Sequence, residues 1–90
     1  MAEESKKLYV EIISPQGCHF RGEVENCYFR TPVGEMGVLP GHCDFLVKVE
    51  KGVIQLDKDK NGRIFGIDKG VAYKLGNPLV FVLESCEIIE

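Results

Sequence analysis

Apolar and polar residues alternate with period two along most of the chain, in short runs separated by turn residues. LYVEII (8–13) places Leu8, Val10 and Ile12 on one face, and SPQG (14–17) reads as a turn. EVENCYFR (23–30) is strand-like, but its apolar phase slips between Val24 and Cys27, which suggests a bulge or a change of face. DFLVKVE (44–50) alternates cleanly, with Phe45, Val47 and Val49 inward. GVIQLD (52–57) and RIFGI (63–67) flank a polar turn, and VAYKL (71–75) alternates again. After GNP (76–78), LVFVL (79–83) is apolar on both faces and should be a covered strand; SCEIIE (85–90) ends the chain as a last short strand. Short strands at this spacing predict an all-β sandwich or barrel. Ten glycines and four prolines supply the turns and interrupt any stretch that could form a helix of useful length.

Ninety residues make one domain. Its expected limits are 8–90, after a flexible polar arm at 1–7. MAEESKK lacks the apolar segment of a signal peptide, and no apolar run approaches the ~20 residues of a membrane helix. A cytosolic chain is therefore expected. A net charge of −3 argues against a nucleic-acid footprint.

Cys18, Cys27, Cys43 and Cys86 form no C-x-x-C pair and no recognisable zinc spacing. In a cytosolic chain they serve as small hydrophobes. Two of them adjoin the only histidines, as Cys18-His19 and His42-Cys43. Neighbours on a strand face opposite ways, so neither pair is suited to a single centre. Cys18 with His42 would need the fold to bring them together. DKDKNGRIFGID (57–68) follows the calcium-loop pattern, with Asp57, Asp59, Asn61, Gly62 and Asp68 in place. Its flanks read as strands rather than helices, and an Asn-Gly hairpin turn accounts for the same residues.

GEMGVLPGH (34–42) is the densest cluster of special residues. Its glycines match neither phosphate-loop spacing, no helix follows, and no Lys or Arg lies between Thr31 and Phe45. It reads as a stiff turn. Met36, Val38 and Leu39 either form a docking surface or fold back into the core.

The ordered set of motifs resembles the N-terminal domain of the epsilon subunit family of F-type ATP synthases, called delta in mitochondria. The matching pieces are P-x-G at Pro15–Gly17, F-x-G-x-V at Phe20–Val24, and G-E-x-G-V-L-P-G-H at Gly34–His42. They continue with the Gly52 turn, K-G-V at Lys69–Val71 and L-G-N at Leu75–Asn77. The resemblance runs from Leu8 to Ser85. It implies a flattened sandwich of about ten short, mostly antiparallel strands, and a non-catalytic rotor subunit that links the gamma subunit to the c-ring. On that resemblance Glu35, with Met36 and Gly37 beside it, would contact the c-ring. Pro40, Gly41, His42 and Ser14 would face gamma. The complex would lie at the cytoplasmic face of the cell membrane without direct insertion of this chain. No catalytic residue, cofactor or metal is implied, and the isolated chain would be a monomer or a weakly self-associating oligomer.

Two departures limit the resemblance. The sequence stops at Glu90, where epsilon chains commonly continue into a helical hairpin that inhibits ATP hydrolysis and in some members binds ATP. Those roles are not carried over. Cys43-Asp44 and Lys69 also differ from the commoner family residues. The rival function is a stand-alone ligand- or metal-binding sandwich, using 57–68 for calcium or the Cys/His pairs for a transition metal.

Overall fold

The computed structural model describes residues 7–58 and 62–89. Ten strands occur in it: β1 Leu8–Ser14, β2 Gly17–Val24, β3 Cys27–Thr31, β4 Gly34–Val38, β5 Phe45–Val49, β6 Gly52–Leu56, β7 Ile64–Ile67, β8 Gly70–Lys74, β9 Leu79–Leu83 and β10 Cys86–Ile88. They form two five-stranded sheets, in the orders β2-β1-β9-β8-β5 and β10-β7-β6-β3-β4. Their pairings are antiparallel except for β1 with β9. The all-β sandwich expected from the strand spacing is the fold.

Period two explains the core. Alternate residues of each strand face the other sheet, and those residues are the apolar ones: Val10 and Ile12 of β1, Cys27 and Phe29 of β3, Ile54 and Leu56 of β6, Phe65 and Ile67 of β7. Phe29 and Phe81 meet edge to face across the two sheets, with ring centroids 4.9 Å apart. LVFVL is β9, flanked on both sides by β1 and β8. Leu79, Val80, Phe81 and Leu83 are all buried there, as a central strand requires.

Two expectations need correction. EVENCYFR is not one strand. β2 ends at Val24 in one sheet and β3 begins at Cys27 in the other, so the phase slip marks a crossing between sheets. The bulge is elsewhere: Ile12 opposes Phe20 while Ile13 opposes Cys18, which leaves His19 as the extra residue. GEMGV is likewise not a turn but the edge strand β4, paired with β3. Its preceding turn is Pro32–Val33, and Val38 and Met36 return to the core while Leu39 stays 54% exposed. Its two glycines disguised a strand because a short edge strand tolerates them.

The Glu25–Asn26 crossing is fixed by one side chain. The Asp57 carboxylate accepts the Glu25 N–H at 2.6 Å, with the Asn26 N–H at 3.4 Å, while Asn26 Oδ1 accepts the Lys58 N–H. Asp57 itself is left-handed, φ 52°, a conformation open to Asp and Asn. Asp57→Ala removes the acceptor and keeps the strain, and should cost about 2 kcal/mol. Asp57→Asn keeps both and should cost under about 1 kcal/mol. Urea unfolding of the two variants checks the order.

The registers also define two ends of the sandwich. Ser14, Val49, Gly70 and Leu83 lie at one end of their sheet, and the Pro15–Gln16 turn and the 50–51, 68–69 and 84–85 crossings lie there too. The Glu50 N–H donates to Arg30 O, which brings the Pro32–Val33 turn to the same end. The opposite end carries Asn26, Asp57, Asn77 and the 39–44 connection. These are called the Val33 end and the His42 end below.

Candidate docking surfaces

At the Val33 end the β3–β4 hairpin is latched by Thr31. Its hydroxyl donates to Gly34 O at 2.8 Å and accepts the Val33 N–H at 3.2 Å. Gly34 takes φ +125°, which a residue with Cβ resists. The latch projects Val33, whose residue surface is 97% exposed. Glu35 follows on the outer face, directly opposite Arg30. Among the described residues its carboxylate has no ion pair within 4 Å, so it remains available to a partner. Gly37 lies on the same face under the Tyr28 ring; a Cβ there would come within 2.6 Å of Tyr28 Cε2. Met36 faces inward and packs against the core, so the three expected tip residues do not share one surface.

Part of the outer face of the other sheet is apolar, between Lys48 of β5, which opposes Val71, and the Glu11–Arg21 ion pair of β1 and β2. Leu46 of β5 opposes Tyr73 of β8, Tyr73 opposes Val80 of β9, and Val71 opposes Val82. Leu46 is 73% exposed and Leu75, just past β8, is 71% exposed. With Asp44, Phe45 and Tyr73 they line an open groove of about 440 Å³ at the His42 end. Apolar residues scattered singly over a surface are ordinary, but a contiguous row across three strands marks a contact surface.

The expected Pro40–Gly41–His42 segment borders this groove in sequence and space, since it leads through Asp44 into β5. The His42 N–H donates to Leu39 O at 3.0 Å, closing a turn. The imidazole Nδ1–H donates to Cys43 O at 3.0 Å, so Nε2 of the neutral ring is an acceptor. The ring stands edge-on to Phe45, centroids 5.4 Å apart.

Ser14 is not with them. It lies at the Val33 end, in the β1–β2 hairpin. The bulge turns His19 so that Nε2 is 2.5 Å from Ser14 Oγ, and Gln16 Oε1 is 2.7 Å from the same oxygen. The Gln16 N–H also donates to Ser14 Oγ, at 3.2 Å. All three contacts are satisfied when Ser14 donates to Gln16 and His19 donates to Ser14. That is the reverse of a base activating a nucleophile.

The remaining chemistry is similarly placed. Cys18 on β2 and His42 before β5 sit at opposite edges and opposite ends of one sheet, about 19 Å apart across the strands alone at ordinary strand spacing. Cys27 is fully buried, and burial, then the nearby Asp57 charge, push its thiol far above the ordinary range. The Cys86 thiol is raised by partial burial and then by Glu87. Neither favours a thiolate nucleophile. Among the described residues no three His, Cys, Asp or Glu side chains gather as metal ligands. Of the calcium-loop pattern, Asp59 and Asn61 lie outside the described residues. The flanking strands β6 and β7 pair as a hairpin, as expected. No helix of the structure is long and apolar enough to cross a membrane.

The surfaces missed in the sequence were Val33 and the row Leu46, Val71, Tyr73, Leu75. A signal for the row existed: these residues fall out of phase with the inward Phe45, Val47, Ala72 and Lys74, so both faces of β5 and β8 are partly apolar.

The chain is of the β-sandwich class, two five-stranded sheets with an exposed apolar patch at one end and a projecting hairpin at the other. Within that class the chain belongs to the ATP synthase delta/epsilon chain β-sandwich domain family, whose model matches residues 7–88. It is 30% identical over 84 residues to the ATP synthase epsilon chain of Thermodesulfovibrio yellowstonii, covering 93% of this chain and 60% of that protein. It is 39% identical over 67 residues to the epsilon chain of Campylobacter curvus, covering 73% of this chain and 52% of that one. The chain thus spans little more than half the length of these relatives. In fold it resembles a chain in the Euglena gracilis mitochondrial ATP synthase OSCP/F1/c-ring structure, with a TM-score of 0.86 at 17% identity over 97% of this chain and 56% of that chain. A chain of the Tetrahymena thermophila mitochondrial ATP synthase central stalk/c-ring structure also matches, with a TM-score of 0.74 at 12% identity over 96% and 69% of the two chains.

Proposed function

We propose that this chain is a non-catalytic central-stalk subunit of a proton- or sodium-translocating F-type ATP synthase, joining the gamma subunit to the c-ring so that torque passes without slip. The observation that carries the reading, within the family assignment, is the separation of two unlike surfaces. The apolar face Leu46–Tyr73–Leu75, continued by Pro40, Gly41 and His42, suits a permanent contact with gamma. The Val33–Glu35 tip lies at the other end, where it suits the polar loops of the ring. Gly37 flanks that tip, and Met36 supports it from the core side. Ser14 lies at the ring-facing end and so joins gamma only where gamma reaches past the apolar face. The complex would sit at the cytoplasmic face of the membrane, with this chain outside the bilayer.

The energetics divide the same way. A stable interface buries roughly 1,600 Å², and each fully buried leucine contributes about 1.5–3 kcal/mol. An exposed carboxylate pairing with a ring group contributes on the order of 1 kcal/mol. The gamma contact therefore holds the chain and the ring contact orients it.

Binding to purified cognate gamma, measured by calorimetry, tests the reading. The chain should form a stable complex, and Leu46→Asp should weaken it at least about 30-fold, the effect of losing an interface hot spot. Glu35→Cys, in a Cys18→Ser/Cys43→Ser background, should bind gamma within about twofold of that background because it lies at the far end. The same variant should cross-link to cysteines placed in the ring's polar loop. A folded chain that ignores gamma, or a Leu46→Asp variant that binds normally, overturns the assignment of the surfaces.

A further inference from the structure

The 39–44 connection is exposed along most of its length, contains a glycine, and would be mobile unless something held it. Two bonds from the β8–β9 hairpin hold it. Asp44 Oδ1 accepts the Gly76 N–H at 2.9 Å, and Lys74 Nζ donates to His42 O at 2.5 Å. Lys74 is the unexpected member. It lies on the inward face of β8, directly opposite Phe45 of β5 and Leu79 of β9, and is only 4% exposed. Burying an ammonium among apolar neighbours is unfavourable, and an aliphatic residue of the same length would suit the burial better. The fold alone does not explain a lysine there. What its amine reaches is the carbonyl of a residue 32 positions away, in the loop that borders the apolar face.

We propose that Lys74 is a positioning residue for the gamma-facing surface: its ammonium, together with the Asp44 carboxylate, clamps the Pro40–Gly41–His42 loop in the shape that gamma meets. This inference rests on the function proposed above. The clamp acts before binding. A loop already fixed loses less conformational entropy when it docks, so affinity rises without any contact between Lys74 and gamma. The carbonyl of His42 is occupied by the clamp, and the imidazole Nδ1–H by Cys43 O, which leaves Nε2 to accept a donor from the partner.

The test is amide exchange on the full chain, followed by gamma binding. Lys74→Met keeps the length and burial and removes the donor. Its thermal midpoint should stay within about 4 °C of wild type. Amide protection at 41–44 should fall about tenfold or more, as expected for a lost bond to a charged group. Gamma affinity should fall about five- to tenfold, and Lys74→Arg should recover part of both losses. Asp44→Ala cuts the second tie from the exposed side and should change protection and affinity in the same direction. Lys74→Met with wild-type exchange at 41–44, or with wild-type gamma affinity, rejects the clamp. Should Lys74→Met fail to fold, unchanged exchange and affinity in Asp44→Ala reject it instead. A wild-type chain that does not bind gamma rejects the proposed function, whereas normal wild-type binding with unaffected variants rejects only the clamp.

Discussion

Phe81→Ala should remove about 4 kcal/mol of folding stability, read from urea unfolding. Phe81 is fully buried in the central strand β9 and is one of the largest core side chains. Truncation loses its transfer free energy and leaves a cavity that a sheet hydrogen-bonded on both sides cannot collapse to fill. It also removes the edge-to-face partner of Phe29, a pair worth about 0.5–1.5 kcal/mol beyond burial. A domain of this size has about 5–13 kcal/mol in total, so one substitution consumes much of the margin. Phe29→Ala should be similar, and the double variant should show a coupling of about 1 kcal/mol. The pair joins β3 to β9, so it is a direct link between the two sheets. A loss below about 1.5 kcal/mol for Phe81→Ala would mean that the sheets are held mainly by other contacts.

Gly70→Ala should be nearly as severe, at about 3 kcal/mol, or a thermal midpoint lower by about 10–20 °C. The position opens β8, opposite Leu83 of β9 and Val49 of β5. A Cβ built there would lie 2.1 Å from Val82 O and 2.8 Å from Leu83 Cα. Both are backbone atoms of a central strand, so no rotamer change relieves the clash; β8 would have to move away from β9. That movement would propagate through Tyr73 to Leu75 and Lys74, the residues that line the apolar groove and clamp the His42 loop. Gamma binding should therefore weaken with stability in Gly70→Ala, whereas Leu46→Asp should separate the two. Gly34→Ala is the control. Nothing lies within 4 Å of its built Cβ, but its φ of +125° is strained for alanine, so its smaller loss of about 1–2 kcal/mol reports conformation rather than crowding.

Most of the strand pattern was legible because a half-buried strand must alternate, and this chain alternates. The runs at 8–13, 44–50, 52–57, 63–67 and 71–75 became β1, β5, β6, β7 and β8 within a residue or two. LVFVL declared itself central by being apolar on both faces. The reading failed where burial was weak. β4 sits at a sheet edge, so GEMGV kept two glycines and an exposed glutamate that a central strand would not carry. β2 was masked for the same reason: it is the other sheet's edge, and most of its residues are exposed or half-buried. The slip between Val24 and Cys27 was visible but ambiguous. A bulge, a face switch and a sheet crossing all shift the apolar phase, and only the pairing partners distinguish them.

The candidate surfaces divide along the same line. Glu35 and His42 were named from the ordered motifs they belong to, and local sequence is enough to place them on exposed segments. Sequence alone could not place Ser14 at the opposite end from His42, because that depends on how β1 is oriented in a sheet whose order is 2-1-9-8-5. Nor could it gather Leu46, Tyr73 and Leu75, which lie on separate strands and form a surface only through their register.

By itself, then, the sequence determined an all-β chain, the inward set of each well-buried strand, the family and that Glu35 lies on an exposed segment. Each of these follows from local periodicity, turn chemistry or an ordered set of short motifs. The tertiary structure decided which strands are neighbours, and so which exposed apolar side chains form one face and which loops share an end. It also gave Lys74 its role, since a lysine in an alternating strand reads as solvated until the fold buries it beneath the carbonyl of His42.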